Sequence, residues 1–523
     1  MSHAEAVSQN PDYKWWVLGI VMIGTLMGAL DSSIVNVSIP RIMADFGSSV
    51  DDIEWVVTGY MLAFSTLMPL TAWFRDRVGH KSLYIASLFV FTLGSVLCGF
   101  AWNLPSLIVA RVIQAFGGGA ITPTGMAMIA EVFSPKERGK AMGYWGVGVI
   151  VGPAFGPTLG GYLTQTLGWR SIFLINLPIG IAGMMLAAKV LFADKPHASQ
   201  SKPFDFWGFG FLSAFLVAFL LGLSKGEHEG WTSAYIITCA IIALIGAVGF
   251  LLVETQILNP IVELSLFKSS VFSVCMLVTA VRSVALFGGI FLLPLFLQQQ
   301  MGFDETRSGL ILLPGSLVIG LFMPISGKIS DRTGPRTLTI VGLLGVALFM
   351  FMYRNMDINM SVWDVIAPTL VRGFGIGLLI APVMAAAMNA VPNHKAGAAS
   401  SLLNLIQQVG GSLGIAILAT VLSHRAHFHM NIMGSALESS SSSFRAATGR
   451  MFHHALSLGY THAESRKIAA GLVTKTLAQS AVVSAFQDAF LVGAMIVAAA
   501  VLPSLLLPKA SSGHTEVDLS AME

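Results

Sequence analysis

The sequence is poor in charge. Only 11% of its 523 residues are Asp, Glu, Lys or Arg, against 54% hydrophobic, whereas soluble domains carry about 25% charged residues. That scarcity excludes an ordinary soluble domain and implies an integral membrane protein. The 30 Lys and Arg nearly balance the 27 Asp and Glu, so the basic footprint of a nucleic-acid binder is missing. Cysteine is scarce as well. Cys98, Cys239 and Cys275 each fall inside an apolar run, which leaves neither a disulfide framework nor metal-ligand spacing. The sequence also lacks a phosphate-binding glycine loop, an HExxH helix and a nucleophile elbow. The motifs that a membrane-embedded enzyme would need are therefore absent.

Long apolar runs are abundant. A helix needs about 20 apolar residues to cross a bilayer, and fourteen runs meet that requirement: 15–37, 53–73, 82–101, 106–130, 140–163, 171–192, 205–224, 233–253, 270–298, 308–328, 337–354, 362–391, 397–422 and 479–507. The region before the first run has no strongly positive stretch and no small-residue cleavage site, so that run is expected to be a retained span. An even number of crossings puts both termini on one side. With the N-terminus inside, the inner short loops and tails hold fifteen Lys and Arg. The short outer loops hold five: Arg41, Arg170, Lys225, Arg307 and Arg354. The positive-inside rule therefore places both termini in the cytoplasm. A longer outer segment, about 424–475, is Ser-rich near 439–443 and carries six of the twelve histidines. His424, His427 and His429 could share a helix face, but no Cys or acidic cluster accompanies them as metal ligands. A solvated segment that docks a partner is the expected use.

A repeat underlies the runs. Asp76-Arg77-x-Gly79 recurs as Asp331-Arg332-x-Gly334, Arg111 recurs as Arg372, and the glycines around Gly156 recur around Gly414, at offsets of 255, 261 and 258 residues. Near-constant offsets imply two related six-helix halves, 1–193 and 263–523, with two further spans inserted at 194–262. Two such halves facing one another form a transporter architecture, with substrate and ion sites near the midplane.

These motifs carry a family likeness. Ala72-Trp73-Phe74-Arg75-Asp76-Arg77-Val78-Gly79-His80-Lys81 and Gly327-Lys328-Ile329-Ser330-Asp331-Arg332-Thr333-Gly334-Pro335-Arg336 resemble the two copies of a loop signature of the major facilitator superfamily, with Ala72 in place of the usual first glycine. Leu107 to Ala120, with Arg111 and Gln114, resembles its fourth-helix motif, and Gly152-Pro153-Ala154-Phe155-Gly156-Pro157-Thr158-Leu159-Gly160-Gly161 its antiporter signature. Leu30-Asp31-Ser32-Ser33-Ile34-Val35-Asn36-Val37-Ser38-Ile39-Pro40 is similar to the first-helix motif of the fourteen-helix drug:proton antiporters of EmrB/QacA type. The resemblance covers nearly the whole chain. It implies an all-α membrane fold and proton-driven efflux of hydrophobic or amphipathic small molecules across an inner membrane, with no cofactor. Similarity to EmrB further implies a periplasmic adaptor and an outer-membrane channel as partners.

Individual residues can be weighed against that likeness. A carboxylate inside a hydrocarbon span costs roughly 2.5–3.5 kcal/mol on insertion scales and normally faces a water path or a partner charge. Asp31 lies about 25 Å up the first helix and Arg111 about 8 Å from the outer end of the fourth, at 1.5 Å per residue. Both sit in the outer half of the membrane, within reach of one another. The resemblance implies a proton-coupling pair; an ion pair that merely joins two helices is the competing reading. Arg282 and Arg372 lie about 18 Å and 15 Å along their helices by the same rise. Either can meet an anionic substrate, such as a fatty acid or bile salt, or bond to backbone carbonyls. Asn36, Gln114, Asn404 and Gln407 are further cavity candidates, and Asn176 and Gln408 complete the uncharged polar set. Asp76, Arg77, Gly79, Asp331, Arg332 and Gly334 are assigned to gating. Gly152, Pro153, Gly156, Pro157, Gly160 and Gly161 are assigned to a pivot or seal. Glu131 and Asp488 are read as interfacial caps or proton relays. An uptake symporter is the rival transport mode.

Overall fold

The computed structural model describes residues 12–192, 204–257, 261–392, 395–436 and 442–509. The 193/194 boundary, the basic linker from Lys195 to Lys202, and residues 439–441 of the Ser-rich stretch lie outside the described residues. The side chains of Pro153 and Pro157 lie outside them too. Every regular element among the described residues is helical, as a chain in hydrocarbon requires unless it closes a barrel. The membrane helices are α1 (Tyr13–Phe46), α2 (Trp55–Leu67), α3 (Leu70–Gly99), α4 (Leu104–Val132), α5 (Arg138–Thr166), α6 (Asn176–Val190), α7 (Phe206–Glu229), α8 (Ala234–Glu254), α9 (Ser270–Gln299), α10 (Glu305–Thr333), α11 (Pro335–Met352), α12 (Val362–Asn389) and α13 (Ala396–Ala436). An outer helix, α14 (Ser442–Ser457), precedes the last long one, α15 (His462–Ala499).

Twelve described helices are long and apolar enough to cross a membrane. The other two expected crossings have local explanations. The second run breaks at Met68-Pro69, so the 13-residue α2 is completed by the first residues of α3. The fifth run is a continuous 29-residue helix whose many glycines dilute its hydropathy.

Two glycines reverse the chain at the inner end, the end at which α1 begins and α15 finishes. Gly79, inside α3, has φ 78° and ψ 166°. Gly334, between α10 and α11, has φ 81° and ψ 165°. That region of backbone space is essentially confined to glycine. The repeat seen in the sequence is therefore a repeat of backbone geometry.

The two groups of six helices meet along α5 on α10 and along α13 on α4. The α7–α8 pair packs at the side, where α7 touches α2 and α13. α8 turns Ile241, Leu244, Ile245 and Leu251 outward, a surface suited to lipid. α13 has 41 residues and α15 has 38. At 1.5 Å per residue α13 is about 60 Å long, twice the ~30 Å hydrocarbon core. α14 packs against α15 in the outer extension that results.

The hydrogen bonds that join the two halves lie in segments of the inner end. Asp331 accepts from the backbone N–H groups of Gly139 at 2.8 Å and Lys140 at 2.9 Å, at the start of α5. Arg138 donates to Asn389 Oδ1 at 2.9 Å, and Asn389 donates to the Pro135 carbonyl at 3.2 Å. Thr71 bonds to Ser401, and Ser400 donates to the Pro123 carbonyl at 2.9 Å. Gly139, Gly143 and Gly146 let α5 press on Gly327, Met323 and Pro324 of α10. The inner end is closed.

Candidate functional site

Asp31 is fully buried, at 0% exposure, in the middle of α1. Its Oδ2 accepts from Arg111 Nη1 at 2.6 Å, and its Oδ1 accepts from Gln114 Nε2 at 2.7 Å and Asn176 Nδ2 at 3.0 Å. Arg111 and Gln114, three residues apart, lie on one face of α4. α6 runs in the same direction as α4, packs on α1 and α3, and brings Asn176, at its outer start, to the same carboxylate. Arg111 is 2% exposed. It also donates from Nη1 to Gln114 Oε1 at 2.7 Å and from Nε to the Val56 carbonyl at 3.3 Å, and its guanidinium lies 4.0 Å from the Tyr60 ring centroid. Asn176 continues to Ser95 at 2.9 Å, and Ser95 donates to the Phe173 carbonyl at 2.9 Å. The carboxylate thus has three side-chain donors and sits inside the first half, sealed from solvent.

The glycine run of α5 explains how α1 is seated. A Cβ at Gly152 would overlap the Ala29 carbonyl carbon, and one at Gly156 would overlap the Ser33 hydroxyl. One at Gly160 would stand 2.6 Å from Ile34 Cγ1. These positions recur every four residues, so they form one stripe, pressed on α1 to either side of Asp31. Ser33 Oγ donates to the Gly152 carbonyl at 3.2 Å. Gly161 is off the stripe, with nothing within 4 Å. One end of α5 therefore grips the helix bearing Asp31, while its other end forms the inner closure. In the second half Gly410 and Gly414 press likewise on Ala280 and Val284 of α9.

The other candidates disperse. Gln114 belongs to the Asp31 network. Asn36 is exposed elsewhere on α1. Asn404 donates to the Ser400 carbonyl at 2.8 Å and lies 3.8 Å from Met126 Sδ, at the contact between α13 and α4. Gln407, one turn away, instead accepts from Arg282 Nη2 at 2.9 Å. Arg372 rests 5.6 Å from the Phe349 ring centroid. The two loop aspartates differ. Asp331 bridges the halves, whereas Asp76 bonds to its neighbour Arg75, whose guanidinium lies against Gly397 at the start of α13. Arg77 stacks 4.3 Å from the Trp73 ring, and Arg332 is exposed. Glu131 faces His80 at 3.2 Å. Asp488 accepts from Arg425 at 2.6 Å and meets His429 at 2.7 Å, in the outer region. His429 is thus engaged with a carboxylate. Of the acid network, Asn176 stands in the uncharged polar set without being counted a cavity candidate, and Tyr60 is not singled out at all. Asn176 lies at the depth of Asp31, which was the available signal; Tyr60 carried none.

A closed inner end between two six-helix halves, with a carboxylate and a guanidinium locked inside one of them, is a transporter architecture. Residues 21–415 match the profile of the Major Facilitator Superfamily. The multidrug export protein EmrB of Escherichia coli K12 is 32% identical over 414 residues, spanning 78% of this chain and 80% of the relative. The multidrug resistance protein B homolog of Mycobacterium tuberculosis H37Rv is 36% identical, over 80% and 78%. The fatty acid resistance protein FarB of Neisseria gonorrhoeae is 28% identical over 92% and 93%. Among solved structures, the fold matches the human organic anion transporter MFSD10 with a TM-score of 0.61, at 13% identity over 92% and 99% of the two chains. It matches the proton:xylose symporter XylE with a TM-score of 0.60, at 13% identity over 96% and 97%. The chain belongs to the Major Facilitator Superfamily and, within it, to the EmrB-type transporters.

Proposed function

We propose that this protein exports amphipathic small molecules across a cytoplasmic membrane in exchange for protons, with Asp31 as the coupling acid. The observation that carries the reading is the Asp31–Arg111 pair, sealed in the first half and gripped by the helix that also closes the inner end. In this cycle a proton from outside neutralises Asp31, and Arg111 loses its counter-charge. The α1–α4–α6 network loosens, and α1 moves against the glycine stripe. α5 carries that motion to its other end, where Gly139 and Lys140 leave Asp331. The inner end opens, substrate enters, and Asp31 releases its proton to the cytoplasm. Re-formation of the buried pair drives the return. The excess of Lys and Arg in the inner loops supports cytoplasmic termini. The outer extension of α13–α15 offers a periplasmic adaptor a surface, and through it an outer-membrane channel. These partners, and the inner membrane of a two-membrane cell as the site, belong to the same reading.

The test is ethidium transport in proteoliposomes under an imposed pH gradient, with wild type beside Asp31→Asn. Leaving Arg111 buried without its partner costs about 3–5 kcal/mol, so Asp31→Asn/Arg111→Gln is run as the fold-preserving control. The mutants are expected to retain ethidium exchange at equal concentrations and to lose uphill movement. Uphill movement in Asp31→Asn at the wild-type rate would remove Asp31 from the coupling role.

A further inference from the structure

The two halves differ in one electrostatic respect. Arg372 holds in α12 the place that Arg111 holds in α4, and it is 4% exposed. Arg111 has Asp31, Gln114 and a backbone carbonyl. Among the described residues Arg372 has no ion pair and no hydrogen bond, and its Nε is buried without an acceptor. The reason lies in the facing helix. At the offset of 258 that relates Gly156 to Gly414, the counterpart of Asp31 is Gly289. A Cβ at Gly289 would stand 3.5 Å from Arg372 Nη1 and 3.6 Å from Phe349 Cε1. These are ordinary contact distances, so a Cβ fits there, directly against the guanidinium. The second half thus retains the cation and has lost its built-in anion. Two turns below Gly289 on α9, Arg282 is a second buried cation, 2% exposed, with a neutral partner in Gln407 and an Nε that also lacks an acceptor. Among the described residues it too has no carboxylate partner.

An unpaired guanidinium in an apolar interior is costly, and the same low dielectric strengthens its attraction for an incoming anion. We propose that Arg372, beside Gly289, binds the anionic headgroup of an amphipathic substrate, supplied in trans where the first half supplies Asp31 in cis. Arg282 adds positive potential below it, and Phe349 offers an apolar wall to the alkyl or aromatic part. The ligand class is a monoanion with a hydrophobic tail, a carboxylate or sulfonate. Its physiological meaning rests on the export reading above; the binding site itself does not.

The test compares binding of laurate and of dodecanol, which share a C12 chain and differ in the headgroup. Full-length protein in nanodiscs is titrated calorimetrically at about pH 8, where the carboxylic acid is ionised. Wild type is expected to favour laurate by about tenfold or more, the equivalent of one hydrogen bond between charged groups. Gly289→Asp, which restores the missing anion, is expected to abolish that preference and leave dodecanol binding unchanged. Gly289→Asn, of the same shape without the charge, is expected to keep it. Arg372→Gln is expected to behave as Gly289→Asp does. Equal binding of laurate and dodecanol by wild type would overturn the proposal, as would a preference that survives in Gly289→Asp. Ethidium efflux by the same variants separates the two readings. No laurate preference in wild type, with its gradient-driven ethidium efflux intact, overturns the site alone. A laurate preference without gradient-driven transport of ethidium or laurate overturns export and leaves the site standing.

Discussion

The aspartates of the repeated loop are equivalent in sequence, yet their contacts predict unequal roles. Asp331 caps the start of α5 across the boundary between halves, through two backbone N–H groups at 2.8 and 2.9 Å. The N-terminus of a helix favours a negative charge by about 0.3–1 kcal/mol, and a hydrogen bond to a charged group contributes about 1.5–3 kcal/mol. In Asp331→Asn the amide keeps one acceptor oxygen and turns its NH2 toward the second N–H. One charge-assisted bond and the dipole share are lost. Asp331 is partly exposed, so the lower end of the range applies, about 1.5–2 kcal/mol. That shifts the balance between inner-closed and inner-open forms about 10- to 30-fold. Among the described residues Asp76 bonds only to adjacent Arg75, at a partly exposed surface, where an ion pair contributes about 0–1 kcal/mol. Asp76→Asn should therefore shift the balance less than about fivefold. Spin labels at Lys136→Cys and Lys328→Cys, both exposed and on opposite halves at the inner end, report the separation. Asp331→Asn is expected to populate a longer distance, and Asp76→Asn to leave the wild-type distribution nearly unchanged. Equal shifts in the two variants, or a larger one for Asp76→Asn, would refute the reasoning.

Two further predictions concern glycines. Gly156→Ala must displace Ser33 and is expected to destabilise by about 1–3 kcal/mol, as overpacking does. Gly161→Ala, in open space, is expected to be neutral, and thermal unfolding in detergent distinguishes them. Gly79→Ala and Gly334→Ala force a side chain onto backbone with φ near 80°. Each is expected to cost about 1–3 kcal/mol, visible as a lowered Tm, with similar losses at both sites because the geometry is the same.

Depth along a helix is legible in sequence because each residue rises a fixed distance, and that sufficed to bring Asp31 and Arg111 together. The same rule makes the crossings countable from apolar length, and the two halves visible as a constant offset. Direction around the helix axis is another matter. Gln114 and Asn404 are both amides in apolar runs, yet one binds the acid and the other its own backbone beside Met126. Asp76 and Asp331 share a motif, yet only Asp331 bridges the halves among the described contacts. The glycine run of α5 contains one stripe that touches α1 and one glycine that touches nothing, and only packing separates them.

What the sequence determined by itself is the membrane class, the helices, their paired halves and the depth of the charges. These follow from local composition and spacing, since hydrocarbon forces each apolar run into a helix of known rise. What only the tertiary structure decided is which charges meet. That depends on the rotation of each helix and on its neighbours, so it took the folded chain to reveal Asp31 with three donors and Arg372 facing Gly289.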